Sequence, residues 1–570
     1  MPSLVIQPQL IATAATDLAE VNSAIDAAKA AAAGPTTGLV AAAQDEVSAA
    51  VAALFGGYGK EYHALLKQAA AFHGEFAAAL AGAGNTYAQA EVANAATLLE
   101  DPTGVITLVL GASGYPIPSP EYIEGIPPLY IDRWYPPGVN VGVNTPEGLY
   151  PLTGVNSLPF NTSVSQGLTI LDNAIHSAIA NGNTTINVFG YSQSAAIVSL
   201  EMHALNPTNT LGGSLLPNGV NLNITLVGDV ANPNGGVLAR FPGLSLTSLG
   251  FTFGTATPDN SFPTRIYTIE YDGFADFPQY PIDVFSDVNA FLGIIELHGG
   301  YPFLTPLQIN GATQLTTVGP TQTQYYIVDT GKFPLTDFIR DIPVVGNPIA
   351  DLVEPDLKVL VNLGYGSTDV GYSQTPANVP TPFGVLPPVP ASEIISALAT
   401  GTHQGVSAFS LDLSNLMASP PHVLASHLTT AVDTTETHLT TGTHLVGSAL
   451  SSPENFIAAL QAATTRFSTA ISGAASAAYG TLLPTADIVN SLLTTIPAYD
   501  VDLFLDGVQQ MFDGDITGGL IYALGAPMAA DTALLTLFGG FELRVLEHAA
   551  QEIIDDFKGV TPAPPGTATI

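Results

Sequence analysis

The sequence predicts an α plus α/β chain in three parts: an N-terminal αα-hairpin over residues 1–99, a mainly parallel sheet covered on both faces over 100–390, and a mostly helical region over 391–570. Three observations carry this. Ala-rich runs with apolar residues at helical spacing fill residues 8–80. From residue 105, short β-branched runs alternate with helix-like segments, the grammar of a parallel sheet with helices on both faces. Past a Pro-rich stretch at 374–390 the alternation stops, and helical patterning in Ala, Thr and Ser takes over.

Residues 8–33 read as one helix, with Leu10, Ile11, Leu18, Val21 and Ile25 near helical spacing. Gly34-Pro35 is expected to break it, and a second helix follows from about residue 38 to 80. Two helices across a tight break form an αα-hairpin whose alanines let a partner helix approach closely. A lone hairpin buries little core, so this one is expected to dock against another chain.

The alternating region opens with Val105–Leu110, an apolar strand running into Gly111-Ala112-Ser113-Gly114. A helix is expected over 164–180, a strand over 186–189, a helix over 195–205, and strands over 222–227 and 265–270. The apolar stretch 237–262 reads either as a lid or as ordinary core. Pro376, Pro380, Pro382, Pro387, Pro388 and Pro390 read as a stiff connector.

Composition excludes several function classes. Twelve basic residues stand against 48 acidic ones, a net charge of −36, which repels nucleic-acid backbones and anionic headgroups. The chain has no cysteine, so disulfides, thiolate metal sites and a cysteine nucleophile are ruled out. No basic residue precedes Lys29 and no signal-peptide pattern is present. Residues 521–543 are the most apolar late stretch, but Pro527, Asp531 and Glu542 fit a buried or interfacial helix pair better than a transmembrane span.

The chemistry-bearing motif is Gly190-Tyr191-Ser192-Gln193-Ser194, between an apolar strand and a helix-like run. A nucleophile on a sharp strand-to-helix turn needs small residues two places either side, and Gly190 and Ser194 supply them. The α/β-hydrolase fold orders its triad as serine, acid, histidine. His298 is the first histidine after the candidate acids and precedes the connector. Asp276 is the first choice of acid, because it lies in the loop after the 265–270 strand and is followed by Phe277-Pro278; Asp272 and Asp229 are the alternatives. Backbone N–H groups of Gln193 and of Ala112 or Ser113 are expected to form the oxyanion hole. The Gly-rich loop 111–114 lacks the lysine and spacing of a P-loop. The histidine spacings offer no metal site, and no cofactor is expected. The competing reading is a non-catalytic surface protein that uses the fold as a scaffold.

On these residues the chain resembles a mycobacterial architecture: a PE-family N-terminal domain followed by the α/β-hydrolase module called the PE-PPE domain. Residues 1–99 resemble the first, although its Pro-Glu pair stands here as Pro8-Gln9. The elbow, Tyr271-Asp-Gly-Phe-Ala-Asp276 and His298-Gly-Gly-Tyr301 resemble the second. Tyr87-Ala-Gln-Ala-Glu91 is similar to the family's Y-x-x-x-D/E signal for type VII secretion. The resemblance implies a secreted serine esterase or lipase with kinship to cutinases, acting on acyl ester or lipid substrates. Acyl transfer between cell-envelope glycolipids is the alternative. It also implies a cell-envelope or surface location, and a PPE-family partner and type VII secretion chaperone engaged through the hairpin. Residues 391–570 receive no role from it.

Overall fold

A computed structural model of the chain describes residues 104–154, 157–342, 345–418 and 481–558, together with scattered positions between 18 and 76. The described residues fall into two compact units that divide near residue 100. In the N-terminal unit the described positions are almost all helical. The helix there does not break at Gly34-Pro35 as expected but runs on to Thr37. The hydroxyls of Thr36 and Thr37 donate to the carbonyls of Ala32 and Ala33, each at 2.6 Å, which satisfies groups beside the proline. The Tyr87–Glu91 motif lies outside the described residues.

The second unit is built on a seven-stranded sheet. Strands β1 (Val105–Leu110), β2 (Val139–Val143), β3 (Thr185–Tyr191), β4 (Asn221–Val227), β5 (Thr264–Ile269), β6 (Thr313–Gln314) and β7 (Thr323–Val328) lie in the order β2-β1-β3-β4-β5-β7-β6. All pairings are parallel except the short β6, which is antiparallel to β7. The four strands expected from apolar runs are all present. Strands β2 and β7 were not expected, since Asn140 and Gly142 interrupt the first and Gln324 sits in the second. The longer helices between strands are α1 (Pro120–Tyr130), α2 (Phe160–Ala180), α3 (Gln193–Leu205) and α4 (Val284–Glu296). Covered on both faces, the strands are nearly continuous in buried residues: Val109, Leu110, Phe189, Val227 and Ile266 are sealed from solvent.

The stretch 237–262 forms a four-residue helix and a small hairpin, with Leu238, Phe241, Leu244, Leu246 and Phe253 buried, so it packs as core. The Pro-rich stretch is no free connector. Phe383 and Ala377 are buried, Thr381 O accepts from Arg240 Nη1 (2.6 Å), and Phe383 N donates to Arg240 O (3.0 Å). Its backbone bonds go to the α/β region, as buried backbone requires.

Beyond it come α5 (Gly346–Leu363), packed against α6 (Ala391–Ala418), and then α7 (Leu482–Asn490), α8 (Ile496–Phe512) and α9 (Ile516–Lys558). The expected helix pair over 521–543 is instead one continuous helix, α9, with Pro527 inside it. Two segments, Leu482–Phe512 and Ile516–Gln551, are long and apolar enough to cross a membrane by length and composition. Helices α8 and α9 pack against each other, and α9 packs on α4.

Candidate active site

Strand β3 ends at Tyr191 and α3 begins at Gln193, which leaves Ser192 alone on the turn at φ 59°, ψ −120°. A non-glycine residue there costs about 1–3 kcal/mol and persists only where its surroundings over-determine it. Here they do. Ser192 N donates to Val227 O (3.1 Å), and Ala195 N donates to Ser192 O (3.0 Å). Gly190 is needed for the turn, because a Cβ on it would lie 3.0 Å from both Ser194 O and Val198 Cγ2. Ser194, the departure from the commoner G-x-S-x-G, has its own task. Its hydroxyl donates to Gly111 O (2.6 Å) and accepts from Tyr191 N (2.8 Å), joining the elbow to the loop after β1.

Helix α4 delivers His298 at its C-terminal end, and a 3₁₀ segment, His298–Phe303, follows. The close approach of this ring requires Gly228, where φ is +55° and a Cβ would lie 3.1 Å from His298 Cε1. Ser192 Oγ donates to His298 Nε2 (2.7 Å). His298 Nδ1–H donates to Asp272 Oδ1 and Oδ2 (2.9 and 2.8 Å). Ser192 is 3% exposed, His298 2% and Asp272 0%.

The structure sets Asp272, the alternative acid, against the imidazole, and not Asp276, the first choice. Asp276 does not reach the histidine. Its Oδ2 accepts from Tyr271 N (3.0 Å), and burial pushes its carboxyl well above the ordinary range. The reason is local: Asp276 N and Ala275 N both donate to Asp272 O, a tight turn that directs the two side chains differently. Tyr271, at φ 68°, takes the strain of that turn. Asp229 is also committed elsewhere. It accepts from Thr257 Oγ1 (2.6 Å) and Ala231 N (2.9 Å), and burial pushes it up to about 6.

The expected oxyanion donors lie beside the elbow. Gln193 N is at the first helical position of α3, where an N–H has no partner within the helix. The Gln193 side chain is fixed, accepting from Ser163 Oγ (2.9 Å) and donating to Gly148 O (2.7 Å). Ala112 and Ser113 stand in the loop held by Ser194 on Gly111, and Gly114 N donates to Glu147 O (2.8 Å). Glu147 is itself buried at positive φ, and burial pushes its carboxyl up to about 8.

Four contributors were not read from the sequence. Tyr301 Oη donates to Asp272 Oδ2 (2.6 Å) while accepting from Ile269 N (2.9 Å). The signal was there: in a 3₁₀ turn, residues three apart share a side, which ties Tyr301 to His298. Tyr191 Oη donates to His298 O. Phe274 sets its ring edge-on to the imidazole at 4.8 Å, and Phe541, from α9, stacks on Phe274 at 6.4 Å.

Residues 4–94 match the PE family, and residues 136–366 match the PE-PPE domain. Among related proteins of Mycobacterium tuberculosis, the uncharacterized PPE family protein PPE28 is 45% identical over 458 residues, covering 80% of this chain and 67% of the relative. The PE family protein PE3 is 44% identical, covering 72% of this chain and 88% of the relative. Esterase PE16 is 43% identical, covering 67% and 71%. No solved structure matches. With these relatives matched over most of their lengths and both regions present in order, the chain belongs to the PE family, as a member that carries a PE-PPE domain.

Proposed function

We propose that this protein is a serine ester hydrolase of the esterase or lipase kind, acting on acyl esters through Ser192, His298 and Asp272. The observation that carries the reading is His298 bridging Ser192 Oγ and the Asp272 carboxylate within hydrogen-bond distance on both sides. The similarity to a protein named Esterase PE16 supports it.

In the first step Ser192 Oγ attacks the ester carbonyl carbon while its proton passes to His298 Nε2. The negative oxygen of the tetrahedral intermediate takes hydrogen bonds from Gln193 N and from the loop at Ala112 or Ser113. Collapse breaks the bond to the alcohol oxygen, which leaves with the proton from Nε2. Water then attacks the acyl-serine, again giving its proton to His298, and the acid departs as Ser192 is restored. Asp272 holds the tautomer that keeps Nε2 basic, and Tyr301 holds Asp272.

The burial of Ser192 and His298 favours a second outcome for the same acyl-enzyme, transfer to a sugar or lipid hydroxyl in place of water. Product analysis with an added polyol acceptor separates the two: an acyl-polyol product marks transfer, and free acid alone marks hydrolysis.

Labelling with a fluorophosphonate probe tests the nucleophile. Wild type should label and Ser192→Ala should not, with ester turnover in the variant down by about 10⁴-fold or more. Labelling or turnover that survives the substitution removes the reading.

Secretion to the envelope or surface, with a PPE-family partner on the hairpin, belongs to the same proposal. Tyr87→Ala or Glu91→Ala should leave lysate activity intact and hold the protein in the cytosolic fraction. Unchanged fractionation of both variants refutes that part alone.

A further inference from the structure

We propose that helices α8 and α9 are a lid over Ser192, and that their outer apolar face docks on an uncharged lipid surface, where the lid lifts. The inference rests on the reading of Ser192 as a nucleophile toward acyl esters.

An ester must reach Ser192 Oγ, yet Ser192 and His298 are both buried. On the histidine side the closing contact is aromatic: Phe541 of α9 lies on Phe274, which lies on His298. Phe541 also meets Phe291 of α4 at 5.9 Å. Such contacts have little directionality and can part without leaving a hydrogen-bonding group unpaired.

The attachment of the helices is lopsided. Among the described residues, their hydrogen bonds to the α/β region gather toward α7 and the start of α8. Asp487 accepts from Tyr150 Oη (2.8 Å), Ser248 Oγ lies 3.0 Å from both Asp487 O and Ser491 Oγ, and Tyr499 Oη donates to Pro242 O (3.3 Å). On α9, Ala526, Ala529, Ala530 and Ala533 are buried, and Phe541 makes the contact to the site. Phe541 sits beside that polar attachment, since Glu542 accepts from Thr485 Oγ1 of α7; the contact to the histidine side is itself apolar, and it is this contact that must part.

The outer face names the occupant. A helix against water ordinarily places charges on its exposed side. On α9 the exposed line runs Leu520, Leu524, Met528, Leu535, Leu543 and Leu546, with Thr532 and Gly539 filling the gaps in its spacing. The charged residues nearest to it in helical spacing, Asp531 and Glu542, are half-buried, and Glu542 is turned to Thr485 Oγ1. Exposed Val501, Leu505 and Phe512 extend the surface along α8. Apolar on its buried and its exposed side alike, α9 is not patterned for a face against water. Carboxylates rim the face at Asp502, Asp506, Asp513, Asp515 and Glu547, and Arg544 is the single Lys or Arg between residues 481 and 551. That rim repels anionic headgroups, and it would repel the identical rim of a second copy. An uncharged lipid surface, acyl chains beneath zwitterionic or sugar headgroups, is the partner that fits.

Flotation of the full chain with phosphatidylcholine vesicles tests docking, and turnover of a water-soluble short-chain ester with and without those vesicles tests lifting. Wild type should float, less so when one third of the lipid is phosphatidylglycerol, and its turnover should rise when vesicles are added. The double variant Leu524→Asp, Met528→Asp should float about tenfold less or worse, keep the vesicle-free rate, and lose the rise. Phe541→Ala should be fast without vesicles. Failure of wild type to float, a dimer in sedimentation that hides the face, or turnover indifferent to vesicles overturns the lid. Flotation with no turnover under any condition overturns the ester-hydrolase reading and leaves docking in place.

Discussion

Beneath Ser192 the molecule is held by directed polar contacts between elements far apart in sequence: Ser194 to Gly111, Ser163 to Gln193, His298 to Asp272, and Tyr301 to both Asp272 and Ile269. Above the histidine the contact runs through the rings of Phe274 and of Phe541 on α9. The difference separates two requirements of one site. Atoms that exchange a proton must be fixed within a fraction of an ångström, and only hydrogen bonds with defined partners do that. A cover needs only to exclude water, and packing without directional bonds is sufficient.

If the floor is the precise part, its largest sensitivity lies in the acid. Asp272→Asn should lower kcat/KM for a soluble ester by about 10⁴-fold through the wrong imidazole tautomer. Asp276→Asn, four residues on, should keep most of the rate, since that carboxyl holds Tyr271 N and not the histidine. The opposite ranking breaks the comparison.

Next comes Tyr301→Phe, which removes one donor from Asp272 and leaves the ring in place. A hydrogen bond to a charged group contributes about 1.5–3 kcal/mol, so a loss of roughly 10- to 100-fold in kcat is expected, with KM little changed. A pH–rate profile that does not move would reduce Tyr301 to packing.

The smallest effect sharpens the same contrast from the side of stability. Burial raises the Glu147 carboxyl from about 4.5 to about 8, so the folded state holds a proton that the unfolded chain gives up. Stability from this group is therefore complete below about pH 4.5 and is lost as pH rises through 8. Glu147→Gln should flatten the fall in Tm between pH 5 and 8 by a few degrees. An unchanged slope would place the titration elsewhere.

The meeting of Ser192 and His298 was legible because each stands in a recognisable local context: an elbow between strand and helix, and a histidine after the candidate acids. The acid was not, since Asp272 and Asp276 share one loop and only the hydrogen bonds of the Tyr271 turn decide which faces the ring. Asn140 and Gly142 hid β2 from a search for apolar runs. The cover was illegible for another reason. Over residues 520–533 its inner stripe is alanine and its outer stripe leucine and methionine, so hydrophobicity alone points that half of the helix the wrong way round.

Ser194 carries a consequence for how such chains diverge. Replacing it with glycine would restore the commoner spelling of the elbow, yet it would strip Gly111 O and Tyr191 N of a buried partner. The two spellings are therefore not interchangeable one letter at a time. Glycine at 194 calls for a new donor to Gly111 O and a new acceptor for Tyr191 N, which makes the elbow and the loop after β1 a single structural unit.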